Sequence, residues 1–124
     1  MNQTKTVNLA WWLAEELSKT GVPFRPDAWE NNPPPNYGVV EVTGQDSADW
    51  ADGRMVDQAF QAEITLYASC GGAKWVELIQ TRLEALDAGY SLPRRQWLPD
   101  IRKTAWVWRA AFFGPAEWEE ETEA

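Results

Sequence analysis

From Thr6 to Lys19 the apolar residues Leu9, Trp12, Leu13 and Leu17 recur three and four positions apart, with Glu15, Glu16 and Lys19 between them. That period predicts an amphipathic helix with one face against a core. Thr4 or Thr6 is placed to cap its start, and Gly21 stands where a left-handed stop would fall. The next stretch, residues 22–36, holds Pro23, Pro26, Pro33, Pro34 and Pro35, with Asn31, Asn32 and Asn36 among them. Proline lacks an amide donor and turns the preceding residue away from helix, so an irregular or extended connection is expected. Phe24 and Trp29 within it imply packing on the body of the protein. Tyr37–Gly44 then alternates as a strand, with Val40 and Val42 on one face and Val39, Glu41 and Thr43 on the other.

Gln45–Arg54 (QDSADWADGR) is polar, acidic and Gly-bearing, and reads as a loop between strands. Val56–Ala68 is the clearest strand. Val56, Phe60, Ala62, Ile64, Leu66 and Ala68 share one face, and Asp57, Gln61, Glu63 and Thr65 the other. Such alternation predicts an antiparallel sheet buried on one side. After the Ser69–Gly72 break, Trp75, Leu78, Ile79, Arg82, Leu83 and Leu86 form the stripe of a second helix ending near Asp87–Gly89, with Arg82 at its margin. Tyr90–Leu98 is a short strand whose Pro93 points to an edge or a bulge. A last long strand lies in Asp100–Phe113, with Trp106, Trp108, Ala110 and Phe112 on one face and Gly114-Pro115 as its stop. The expected fold class is α+β: a two-layer sandwich, mostly antiparallel four-stranded sheet with two helices, in the order α-β-β-α-β-β. Residues 1–114 are expected to form the single domain, and 115–124 an acidic C-terminal tail.

Composition narrows the chemistry. The 124 residues include nine Trp and no His. Absent His removes Ser-His-Asp and Cys-His catalysis, His-ligated zinc or haem, and the usual near-neutral proton switch. Cys70, the single cysteine, offers no disulfide partner or Cys-rich metal site, and no base stands near it in sequence. Asp46, Asp49 and Asp52 lack the ligand spacing of a calcium loop, and Gly71-Gly72-Ala73-Lys74 lacks that of a phosphate-binding loop. No enzyme, cofactor or metal is therefore expected. No apolar run approaches a membrane span, and nothing at the start resembles a signal peptide, so synthesis in a cytoplasm is expected.

Eleven Lys and Arg against nineteen Asp and Glu give a net charge of −8. That balance opposes a broad grip on DNA phosphates. Glu117, Glu119, Glu120, Glu121 and Glu123 supply five of those eight charges, which leaves −3 for the remainder. The block reads as a solvated tail, or as one ordered against a neighbouring subunit with Trp118 as its anchor. Trp12, Trp75, Trp106 and Trp108 fall on inward stripes. Trp11, Trp29, Trp50, Trp97 and Trp118 are harder to bury together and mark a protein interface. Arg94, Arg95, Arg102, Lys103 and Arg109 lie within sixteen residues. They read either as solvated strand ends or as a basic edge meeting Asp46, Asp49 and Asp52, or the Glu tail, of the next copy. The second arrangement favours head-to-tail rings.

The series now has a family likeness. A helix leads through VPFRPDAWENNPPPNYG to VVEVTG, an acidic loop, the strand QAFQAEITLYA, the helix KWVELIQTRLEALDAGY and closing strands. It resembles the tail terminator and tail-completion proteins of long-tailed bacteriophages and their minor-capsid-like, head–tail joining relatives, over roughly residues 6–113. The long Pro run and the Trp density depart from that family. The resemblance implies a structural virion protein of the tail or neck. It would form a homo-oligomeric ring, commonly a hexamer, that caps the tail tube and joins it to the head connector. DNA would pass through the lumen unbound. The alternatives are a different neck protein, or a small acidic binding protein such as a phage-encoded inhibitor that mimics DNA.

Overall fold

Asn8, not Thr4 or Thr6, starts the first helix: its side chain accepts a hydrogen bond from the Trp11 backbone N–H at 3.2 Å. A computed structural model describes residues 2–6, 8–26, 29, 32–51, 54–69, 72–115 and 117–121, with side chains described for 8–26, 29, 32–44, 59–69 and 72–113. In chain order the elements are β1 (Asn2–Thr6), α1 (Leu9–Ser18), β2 (Phe24–Arg25), β3 (Tyr37–Ala51) and β4 (Arg54–Ala68). They are followed by α2 (Ala73–Ala85), β5 (Gly89–Tyr90), β6 (Arg94–Leu98), β7 (Lys103–Pro115) and β8 (Glu117–Glu121).

The fold is α+β, but the expected four-stranded sheet is replaced by a six-stranded mixed sheet. Its order is β2-β3-β4-β7-β5, with β6 also paired to β7. One pair, β2 with β3, is parallel; the others are antiparallel. A separate two-stranded sheet joins β1 to β8 antiparallel. Each departure from α-β-β-α-β-β has a local cause. β2 is two residues long, too short to show a period, and is placed by the Gly38 N–H donating to the Pro23 carbonyl at 2.9 Å. Gly38 is also where the Phe24 ring lies so close that a Cβ would collide with it. Tyr90–Leu98 is cut into β5 and β6 because Pro93, with Ser91 and Leu92, interrupts the edge of β7. The expected Gln45–Arg54 loop is instead the distal part of the β3–β4 hairpin, paired through Ala51↔Arg54. Three register shifts between Val42 and Trp50 bend it. Strands β1 and β8 (NQTKT and EWEEE) carry no apolar alternation that would announce them.

The core follows the alternation of β4. Phe60, Ala62, Ile64, Leu66 and Ala68 are buried, and Ile64 lies between Val40 of β3 and Trp108 of β7 in register. Both helices cover this face. Leu9, Leu13, Ala14 and Leu17 of α1 and Ile79 and Leu83 of α2 join the strands in one cluster. Trp108 is fully buried, its indole N–H turned to Gln80 of α2 at 3.4 Å. Trp12 meets Phe60 edge-on with ring centres 6.2 Å apart. Trp75 and Trp106 are half-buried against the same cluster. α2 starts at Gly72, whose φ of 87° and a Cβ's approach to Ala68 Cβ at 2.7 Å both demand glycine.

A second layer of fixation is polar. Arg82 of α2 hydrogen-bonds Glu16 of α1, which also holds Lys19 at 3.0 Å. Partial burial pushes the Glu16 carboxyl up, but the hydrogen bonds from Arg82 and Lys19 and their charges outweigh it and hold the pKa below the ordinary value. A depressed carboxylate stabilises the fold above its unfolded pKa of about 4.3, and that contribution is lost as pH falls through the lower folded value. Glu16→Gln is expected to lower stability at pH 7 by about 1–3 kcal/mol. Urea titrations at pH 7 and at pH 3 will check this, because the wild-type advantage should shrink at the acid end. An equal gap at both pH values would assign the loss to packing instead.

Candidate functional site

Helices cover one face of the sheet only. On the other face, Glu41 and Thr43 of β3, Gln61 and Glu63 of β4, and Arg109 and Ala111 of β7 stand without a second layer over them. One end of this face is closed by the Pro-rich connection. Trp29 packs edge-on against Tyr37 at 5.7 Å and donates its indole N–H to the Gly38 carbonyl at 3.2 Å. Tyr37 stacks on Tyr67 at 4.9 Å, and the Arg25 guanidinium lies over Trp29. Lys103 Nζ donates to the Pro35 carbonyl at 2.7 Å and to Ser69 Oγ at 2.9 Å, while the Ser69 N–H donates to Asn36 Oδ1 at 3.0 Å. Five prolines thus sit in a strap fastened at both ends.

Beyond the strap the face opens into a trough crossing four strands. One part, about 660 Å³, runs from Thr43 past Gln61 and Glu63 to Arg109 and Ser91. A second, about 590 Å³, continues from Glu63, Ser91 and Arg109 to Arg94, Arg95 and Gln96. The two parts meet at Glu63, Ser91 and Arg109, where the Ser91 N–H donates to the Arg109 carbonyl at 3.0 Å. Arg109 and Glu63 are directly opposed across β4 and β7, with Nε and Oε2 4.0 Å apart. At that separation, with the Arg109 side chain 78% exposed, the pair holds neither partner tightly. Two guanidinium groups, those of Arg94 and Arg109, and the Glu63 carboxylate line the trough, while the Arg95 guanidinium is turned to Trp106 on the other face, so the trough is mildly basic on an acidic protein. On the helix-covered face the Tyr90 hydroxyl donates to Glu84 of α2 at 2.8 Å; that bond, then burial and the Glu84 charge, raises the phenol's pKa.

The residues expected at an interface do not form one patch. Arg94, Arg95 and Trp97 stand exposed on β6, and Arg102 follows in the turn to β7 with a φ of 53°. The Arg95 guanidinium lies 5.6 Å from the Trp106 ring centre, so its stem is partly committed to that stack. Trp97 is 57% exposed, with Leu92 at 81% and Ile101 at 47% nearby along the chain. Trp11 is 46% exposed but belongs to α1, which packs on β2 and β3 at the other edge. Trp29 is consumed by the strap. The side chains of Trp50 and Trp118, and residues Cys70 and Asp52, lie outside the described residues, as do the side chains of Asp46 and Asp49. Arg109 and Glu63 were missed as a facing pair; the β4–β7 register that joins them is a long-range fact, although both alternate onto the polar face. Among the described residues no group of three His, Cys, Asp or Glu is placed to hold a metal ion, and no helix is long and apolar enough to cross a membrane.

No protein-family model and no curated protein matches the chain. The surface must therefore be read from its own chemistry. Exposed Trp97 contributes little to the fold, whereas Trp108 fills the core. Trp97→Ala is expected to change stability by less than about 0.5 kcal/mol, and Trp108→Ala to cost about 3–5 kcal/mol. Chemical denaturation of both variants will check the contrast, and a comparable loss for Trp97→Ala would place that ring in an intramolecular contact.

Proposed function

We propose that the protein is a structural subunit of a phage virion, a tail terminator or closely related neck protein that assembles into a ring. The ring would cap the tail tube and join it to the head connector. The observation that carries this reading is the one-sided sheet. Both helices sit on one face, while the opposite face and the β6 edge present charged groups and exposed Trp97, Leu92 and Ile101. A subunit that must meet neighbours on both sides needs such unpartnered surface, and large apolar side chains beside Arg are the composition of interface anchors. The succession of helix, Pro-rich strap, long hairpin, second helix and closing strands supports this reading, with β1, β2 and β8 as additions to the expected series.

The electrostatics fit the same role. A net charge of −8 opposes adhesion of DNA phosphates, so a genome could slide through a lumen built from this chain without sticking. The edge offered to neighbours is interrupted at Pro93 and bears Arg94 and Arg95, which limits indiscriminate strand pairing. Negative-stain images of the purified protein are expected to show closed rings, either free or on the ends of tail tubes added to it. Light scattering at micromolar concentration should give the matching mass. A strict monomer that ignores tail tubes, above all one that tightly binds a nuclease, would overturn the assignment in favour of an acidic inhibitor.

A further inference from the structure

We infer that the trough on the open face of the sheet, between Arg94 and Arg109, is a docking site for the acidic C-terminal segment, residues 117–123, of a second copy of this chain. The inference rests on the ring reading and names the contact that would build it. The first argument is charge. The trough is where Arg94 and Arg109 line a cavity together, with Glu63 the acidic residue of its lining and Glu41, the register partner of Glu63, beside it. The same chain concentrates five carboxylates in Glu117–Glu123, the densest negative block it has. Guanidinium groups pair carboxylates in bidentate geometry, and Gln61, Ser91 and Gln96 add hydrogen-bonding groups along the same floor.

The second argument is the ribbon itself. β8 pairs with β1 in a two-stranded sheet separate from the main one. An isolated two-stranded ribbon is marginal in water, and β8 adds four like charges in five residues. β8 also contacts β4, and a basic surface would favour the ribbon further by reducing the repulsion among its carboxylates. β8 holds Glu117, Glu119, Glu120 and Glu121 within five residues of strand.

The third argument is reach, which makes the contact intermolecular. β8 follows Pro115 at the far end of β7, six residues and about 20 Å beyond Arg109. Through β1 it is also tied to the start of α1, on the face opposite the trough. Held at both points, the segment cannot fold back onto its own Arg94. It can reach the trough of a neighbour, and each copy then gives one acidic segment and accepts another. That head-to-tail geometry closes into a ring when the rotation permits.

The test has two arms. In the first, a fluorescent peptide of residues 116–124 is titrated into the full-length protein at low and moderate salt. Saturable binding is expected that weakens with salt and falls about tenfold or more in Arg94→Glu with Arg109→Glu, with the same peptide carrying Gln for every Glu not binding. In the second arm, self-association is measured by sedimentation for that variant, for Glu119→Lys with Glu120→Lys and Glu121→Lys, and for all five substitutions together. Each reversal alone should weaken assembly, and the combined charge swap should restore it to within about threefold. Rings that persist unchanged in the single reversals, with no peptide binding, overturn this contact and leave the ring reading standing. Peptide binding without any assembly keeps the contact and removes the ring. Failure of the combined variant to recover, when circular dichroism shows it folded, overturns the inference.

Discussion

The constraint on which the molecule depends is that strand β4 is paired on both sides and buried on one face alone. Its even-numbered residues from Phe60 to Ala68 must leave water, and Ile64 fixes the row by lying between Val40 and Trp108. A one-residue slip would turn Glu41 of β3 or Arg109 of β7 into the core, so the register is locked by the cost of burying charge. The helices are consequences of that row. α1 brings Leu13 and Leu17, α2 brings Ile79 and Leu83, and Arg82 with Glu16 sets their spacing above the strands.

Elements that bury an apolar face were legible in the sequence because burial imposes a period. The described inward faces of β4 and β7 and the core stripe of α1 follow their expected pattern, and Trp108 lies where alternation puts it; on α2, Ile79 and Leu83 are buried as expected but Leu78 is exposed. Elements held by backbone pairing alone were not legible. Asp46, Asp49 and their neighbours have no apolar alternation, yet the chain there continues as paired strand, since a ribbon beyond the core needs no buried side. The parallel β2–β3 pair depends on the single coincidence of Phe24 over Gly38, forty-odd ångströms of chain contour apart at most but invisible to any period.

The surface divides the same way. Arg94, Arg95 and Trp97 could be named from a basic, aromatic edge sequence, because strand polarity is local information. That Trp29 would be spent on fastening a strap, and that Arg109 would face Glu63 in the trough, depended on which strands meet. Tryptophan count alone overstated the interface: Trp29 shows that a large ring outside the core can be satisfied by packing against Tyr37 and a backbone carbonyl.

Charge placement links the fold to assembly. A protein with net charge −8 repels its own copies at long range, and screening over about 8 Å at physiological salt only shortens that repulsion. Any self-association therefore needs local contacts of opposite sign, and Arg94 and Arg109 stand exposed on the face that the described helices leave uncovered. Had a second helical layer closed that face, the guanidinium groups would have been buried without adequate partners at a cost of several kcal/mol each. Leaving one face bare avoids that cost and keeps the positive groups available.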